Sequence, residues 1–71
     1  MTDAEKTIVA SARRQLDEDP HLAVYMVRDL ECTKVKGLDN MAWSMCSHGA
    51  SRVEVRWLLD QLEAGQVQLW S

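Results

Sequence analysis

Apolar residues recur along much of the chain at intervals of three and four, the spacing of one helix face. Ile8, Val9, Ala12 and Leu16 form the first such stripe. Thr2 and Glu5 stand ahead of it at the spacing of a capping box, in which the threonine hydroxyl accepts a backbone N–H and the glutamate reaches back to the cap. A first helix over residues 3–16 is predicted. The acidic run Asp17-Glu18-Asp19 suits the positive start of a helix and not the negative end of one. Asp19 is therefore read as the cap of a second helix with Pro20 in its first turn, where no amide donor is missed. That helix is expected over residues 20–32, with Ala23, Met26, Val27 and Leu30 on one face. Residues 33–37 break the pattern. Lys34-Val35-Lys36 alternates like a short edge strand whose lysines discourage edge pairing.

A short third helix is predicted over residues 40–46, with Asp39 as its cap. Leu38 and Trp43 then fall at the spacing of a hydrophobic staple, which assigns Trp43 to the core. Ser47-His48-Gly49 reads as a turn. Ser51-Arg52-Val53-Glu54 is a second capping box, and Val55, Leu58, Leu59 and Leu62 follow at i, i+3, i+4 and i+7. Gly65 ends this fourth helix. Gln66-Val67-Gln68-Leu69-Trp70 alternates like a strand.

A short helix, a turn with glycine, a capped helix, then glycine and a strand is the order of a helix-turn-helix with the start of a wing. Gly49-Ala50-Ser51-Arg52-Val53-Glu54-Val55-Arg56, followed by Leu59 and Leu62, resembles the recognition-helix segment of winged helix-turn-helix regulators of the GntR type. Leu62-Glu63-Ala64-Gly65-Gln66-Val67 looks like that family's exit into its first wing strand. Residues 27–69 are similar in plan to small winged-helix proteins such as the FeoC group. Met45 stands where the family usually has alanine. The wing cysteines of the FeoC group have no counterpart, so no iron–sulfur role carries over. The expected fold is mainly α and a single domain over 1–71. An N-terminal helix (1–17) is added to a degenerate winged helix-turn-helix core (20–71) with a short β-strand or hairpin.

Composition narrows the function. The chain has 71 residues, of which 46% are hydrophobic and 27% charged, with a net charge of -3. That is ordinary for a globular domain and too apolar for a disordered one. Residues 1–20 carry three bases and five acids, residues 21–56 five bases and four acids, and residues 57–71 two acids. The middle is the least acidic part. No apolar run approaches the ~18 residues of a membrane span, and the first residues do not read as a signal peptide. Cys32 and Cys46 are accordingly read as reduced thiols in a cytoplasmic protein.

Two functions follow as expectations. In the first, the chain is a small DNA-binding transcription regulator, expected to be a homodimer. Ser51, Arg52 and Arg56 meet duplex DNA in the major groove, and Lys34 and Lys36 meet its backbone. In the alternative it is a protein-binding winged-helix module, an inhibitor or adaptor from a phage or mobile element with no DNA role. Val53, Trp57 and Trp70 then form the contact, Trp57 being an exposed anchor. A solvated flank in which Arg56 pairs with Asp60, and a Trp57 covered by the first helix, are the structural alternatives. No enzyme activity is expected, since no glycine-rich phosphate loop or oxyanion site accompanies the cysteines and histidines. No cofactor or metal is expected either: Cys32, Cys46, His21 and His48 lack the close pair spacing of a zinc site.

Overall fold

A computed structural model of the chain describes residues 1–65. Among them the chain forms α1 (Asp3–Leu16), α2 (Pro20–Val27), α3 (Glu31–Val35), α4 (Asp39–His48) and α5 (Arg52–Ala64). The long outer helices start where local chemistry places them. Thr2 Oγ1 accepts the Glu5 N–H at 3.2 Å, and Glu5 Oε1 accepts the Thr2 N–H at 2.9 Å. At α5 the Glu54 N–H donates to Ser51 Oγ at 3.3 Å and the reciprocal bond is present. Asp19 Oδ1 caps α2 through the Leu22 N–H at 3.2 Å. Gly65 closes α5 at φ +71, a left-handed conformation that side chains disfavour.

α2 is the hub. It packs on α1, α4 and α5, and α1 also packs on α5. One core cluster forms from Val9, Ala12 and Leu16 of α1, Ala23, Val24 and Val27 of α2, Ala42 and Met45 of α4, and the four predicted positions of α5, with Leu38 sealing it.

Three expectations are corrected. The second helix ends at Val27, not at residue 32. Thr33, fully buried, donates its hydroxyl to the Val27 carbonyl at 2.8 Å and so satisfies one of the carbonyls a helix end leaves open. Lys34-Val35-Lys36 is not a strand: α3 runs through Val35, Lys36 is its C-cap, and Gly37 turns the chain at φ +72. A three-residue alternation has no partner strand to hold it, whereas the helical turn has a donor satisfied from elsewhere, described below. Asp39 is not a cap. Leu38 occupies that position without a side-chain bond, so α4 starts one residue earlier than predicted. The fourth helical residue becomes Ala42, fully buried, and Trp43, the next residue and about 100° further round the helix, faces away from the core. No strand occurs among the described residues. The wing strand expected at 66–70, and Trp70 with it, lie outside them.

Candidate functional site

The outward-facing Trp43 builds a surface that local patterns do not announce. α2 and α4 lie side by side, tied by His21 Nε2 and the Cys46 carbonyl at 2.8 Å. The carbonyl only accepts, so this nitrogen carries the proton. The His21 ring meets Tyr25 edge-on, with centroids 4.9 Å apart. Arg28, at the C-cap of α2, places its guanidinium carbon 4.2 Å from the Tyr25 ring centroid and 4.3 Å from that of Trp43. The cation is held between the two rings, a favourable arrangement with the face of an aromatic quadrupole. Tyr25 and Trp43 are still 44% and 48% exposed, and Leu22, three residues before Tyr25 on α2, is 43% exposed.

The arginine is only partly neutralised. Its side chain is 22% exposed, and Asp29 Oδ2 lies 3.5 Å from Nε. That contact does not make a hydrogen bond, and Nε is buried without one. Burial works against the charge. The Cys46 side chain and the Asp29 carboxylate outweigh it and hold the guanidinium above its usual pKa.

The residues expected to meet DNA fall into two separated groups. Ser51, Arg52 and Arg56 gather at the start of α5, where Arg52 and Arg56 line a shallow groove with Arg13, Leu16, Asp17 and Val53. Arg52 is engaged within the fold: Nη2 donates to the Asp17 carbonyl at 2.9 Å, and Nε lies 3.8 Å from its carboxylate. Asp60 pairs not with Arg56 but with Arg13, whose guanidinium bridges Asp60 and Glu63 at 2.7 Å each. Arg56 is exposed and has no ion pair among the described residues. Lys34 on α3 and Lys36 at its C-cap sit by the opposite end of α1, where Met1, Thr2 and Glu5 line a groove with Lys36. A helix as long as α1 puts the two groups roughly 20 Å apart. Lys34 lies 3.6 Å from Glu31.

Of the expected protein contacts, Val53 is 73% exposed, as its position opposite the core face predicts. Trp57 is not the exposed anchor expected. It is half-buried and packs against the core, because the covered arc of α5 extends past the leucine stripe to Gln61, which is buried. Tyr25, Arg28 and Trp43 were missed by sequence reasoning. Tyr25 and Arg28 stand three apart on one helix face, the spacing of facing side chains. Nothing local connects them to Trp43.

Glu5 organises the other end of the molecule. Besides closing the α1 box, its Oε2 accepts the Cys32 N–H at 3.0 Å. One carboxylate thus caps α1 and supplies α3, whose own cap Leu30 makes no side-chain bond. The backbone donors of Thr2 and Cys32 hold the Glu5 carboxyl down at about 2. Burial, together with the neighbouring Glu5 carboxylate, pushes the Cys32 thiol up. Among the described residues no group of three or more His, Cys, Asp or Glu side chains is placed to hold a metal ion, and no helix is long and apolar enough to cross a membrane. Comparison with protein-family models, curated proteins and solved structures finds no match to this chain.

Proposed function

We propose that this chain is a small protein-binding module, an adaptor or inhibitor, that contacts its partner through the α2–α4 face. The observation that carries this reading is the exposed Tyr25–Arg28–Trp43 stack with Leu22 at its edge. Tyr, Trp and Arg are the residue types that dominate binding energy at protein interfaces. The stack also orders their rings and guanidinium before any partner arrives, which lowers the entropy lost on binding. The same reading is favoured by the internal use of Arg13 and Arg52 and by the distance of Lys34 and Lys36 from α5.

A second reading, the DNA-binding regulator of helix-turn-helix or winged-helix type, is favoured by one feature. α4, the three-residue connection Gly49-Ala50-Ser51 and the box-capped α5 follow in helix-turn-helix order, with Arg56 exposed on α5. Its phosphate contacts would come from Arg56 and from an Arg52 released from Asp17.

A photoreactive phenylalanine analogue placed at position 25 or 43 in cells separates the two. The protein-binding reading expects a discrete cross-linked partner from these positions and none from position 53. A cross-link between two copies identifies that partner as the chain itself. Retention on duplex DNA that falls steeply between about 50 and 200 mM salt, and is lost in the Arg52→Ala/Arg56→Ala variant, overturns this reading in favour of the second.

A further inference from the structure

We propose that the α2–α4 face recognises an acidic peptide segment, with an Asp or Glu side chain meeting Arg28 and aliphatic neighbours lying on Leu22, Tyr25 and Trp43. This rests on the protein-binding reading above and adds the chemistry of the partner.

Three observations converge on it. The first is rigidity. With the Tyr25 and Trp43 ring centroids 4.2 and 4.3 Å from its central carbon, the guanidinium packs against two rings at once and has less freedom to turn than a solvated one. A planar fork of donors held in this way matches the two oxygens of a carboxylate, which a flexible ammonium does not.

The second is incomplete neutralisation. The side chain is largely withdrawn from water, and Asp29 is the one carboxylate among the described residues within ion-pair distance. Asp29 is itself 68% exposed, and its contact with Nε stops short of a hydrogen bond. A charge taken from water without full hydrogen bonding is unfavourable. An incoming carboxylate supplies the missing counter-charge, and Asp29 is free to swing into solvent. The other titratable groups facing the site bring no further carboxylate: the Cys46 side chain and Tyr25 both favour the arginine's charge, and His21 donates to the Cys46 carbonyl.

The third is the surround. The exposed ring surfaces of Tyr25 and Trp43 and the Leu22 side chain are apolar, so the partner's acidic group has to be embedded among apolar residues to cover them. The chain's net charge of -3 does not oppose this. Its acidic residues act through solvent, and such fields fade within about 10 Å at 0.1 M salt.

The test is selection of random peptides displayed on phage against the full chain, followed by binding of synthetic peptides by fluorescence polarisation. Enriched sequences are expected to place Asp or Glu beside Leu, Ile or Val. Replacing that acid by its amide should weaken binding at least tenfold. Arg28→Lys should do the same while the thermal unfolding midpoint stays within a few degrees of the parent, which separates lost recognition from lost folding. Enriched neutral or basic peptides that need Trp43 but are indifferent to Arg28→Met overturn the acidic-segment proposal and leave the protein-binding reading standing. A selection yielding no peptide dependent on Tyr25 or Trp43 overturns both.

Discussion

Arg13 and Arg28 sit on two sides of the same small core and meet opposite fates. Arg13, on α1, is gripped by Asp60 and Glu63 of α5, two hydrogen bonds of 2.7 Å that hold its protonation above the ordinary arginine range. Its charge is consumed in joining two helices. Arg28, between α2 and α4, is gripped by aromatic rings and keeps an unsatisfied Nε. The first arrangement closes a surface and the second leaves one open. In a chain this short, a desolvated cation that does not complete its hydrogen bonds is a feature the fold alone does not require.

The widest separation between the two regions lies underneath them. Leu59 is fully buried in α5 among residues of the core cluster. Leu59→Ala is expected to cost about 2–5 kcal/mol from lost burial and the cavity left behind. For a domain of this size that is a large share of the total, so denaturant unfolding should show a strongly shifted or absent cooperative transition. Trp43→Ala, although it removes a larger side chain, should cost less, about 2 kcal/mol, the scale of a cation–π contact with a largely desolvated arginine, because the indole is half exposed.

The arginines themselves make the sharper test. Arg13→Met removes two partly exposed ion pairs, each worth about 0.2–1 kcal/mol, so a loss of roughly 1 kcal/mol is expected, diminished in high salt. Arg28→Met loses cation–π attraction but also removes an incompletely paired charge, and the two effects offset. Its stability should stay within about 0.5 kcal/mol of the parent. Equal losses in the two variants, measured in parallel urea titrations, would erase the distinction drawn between the two regions.

The smallest effect is a pH dependence at the α1–α3 corner. The Glu5 carboxyl is held at about 2 in the folded chain, against an ordinary value of 4.5. A lowered folded-state value favours folding at pH above 4.5, and the contribution fades as pH falls from there towards 2. Glu5→Gln should therefore flatten the loss of stability over that window. Urea midpoints of the two proteins should differ more at pH 6 than at pH 2. A constant gap at every pH would mean that the carboxylate's charge plays no part.

The fold was more legible than the site. α1 and α5 were readable to the residue because each capping box is closed by groups three positions apart. The buried stripe of α5 matched Val55, Leu58, Leu59 and Leu62 because one face meets the core over its whole length. Val24 was missed on α2 because this hub helix is covered by three neighbours and hides a wider arc than one stripe. Trp43 was assigned to the wrong side because the staple was counted from a cap at Asp39; counted from Leu38 the same position is Ala42, about 100° round the helix from Trp43.

By itself, then, the sequence determined a mainly helical chain, the starts of α1, α2 and α5, the glycine end of α5 and most of the core face. All of these rest on bonds or spacings within a few residues. Tertiary structure alone decided that residues 31–35 are helical, since the donor of Cys32 is satisfied by Glu5 from 27 positions away. It alone decided that Arg13 serves α5 and that Arg28 lies between Tyr25 and Trp43. A cation has no preference for a particular ring or carboxylate until packing brings one within about 4 Å, and no local pattern encodes which helix will arrive beside it.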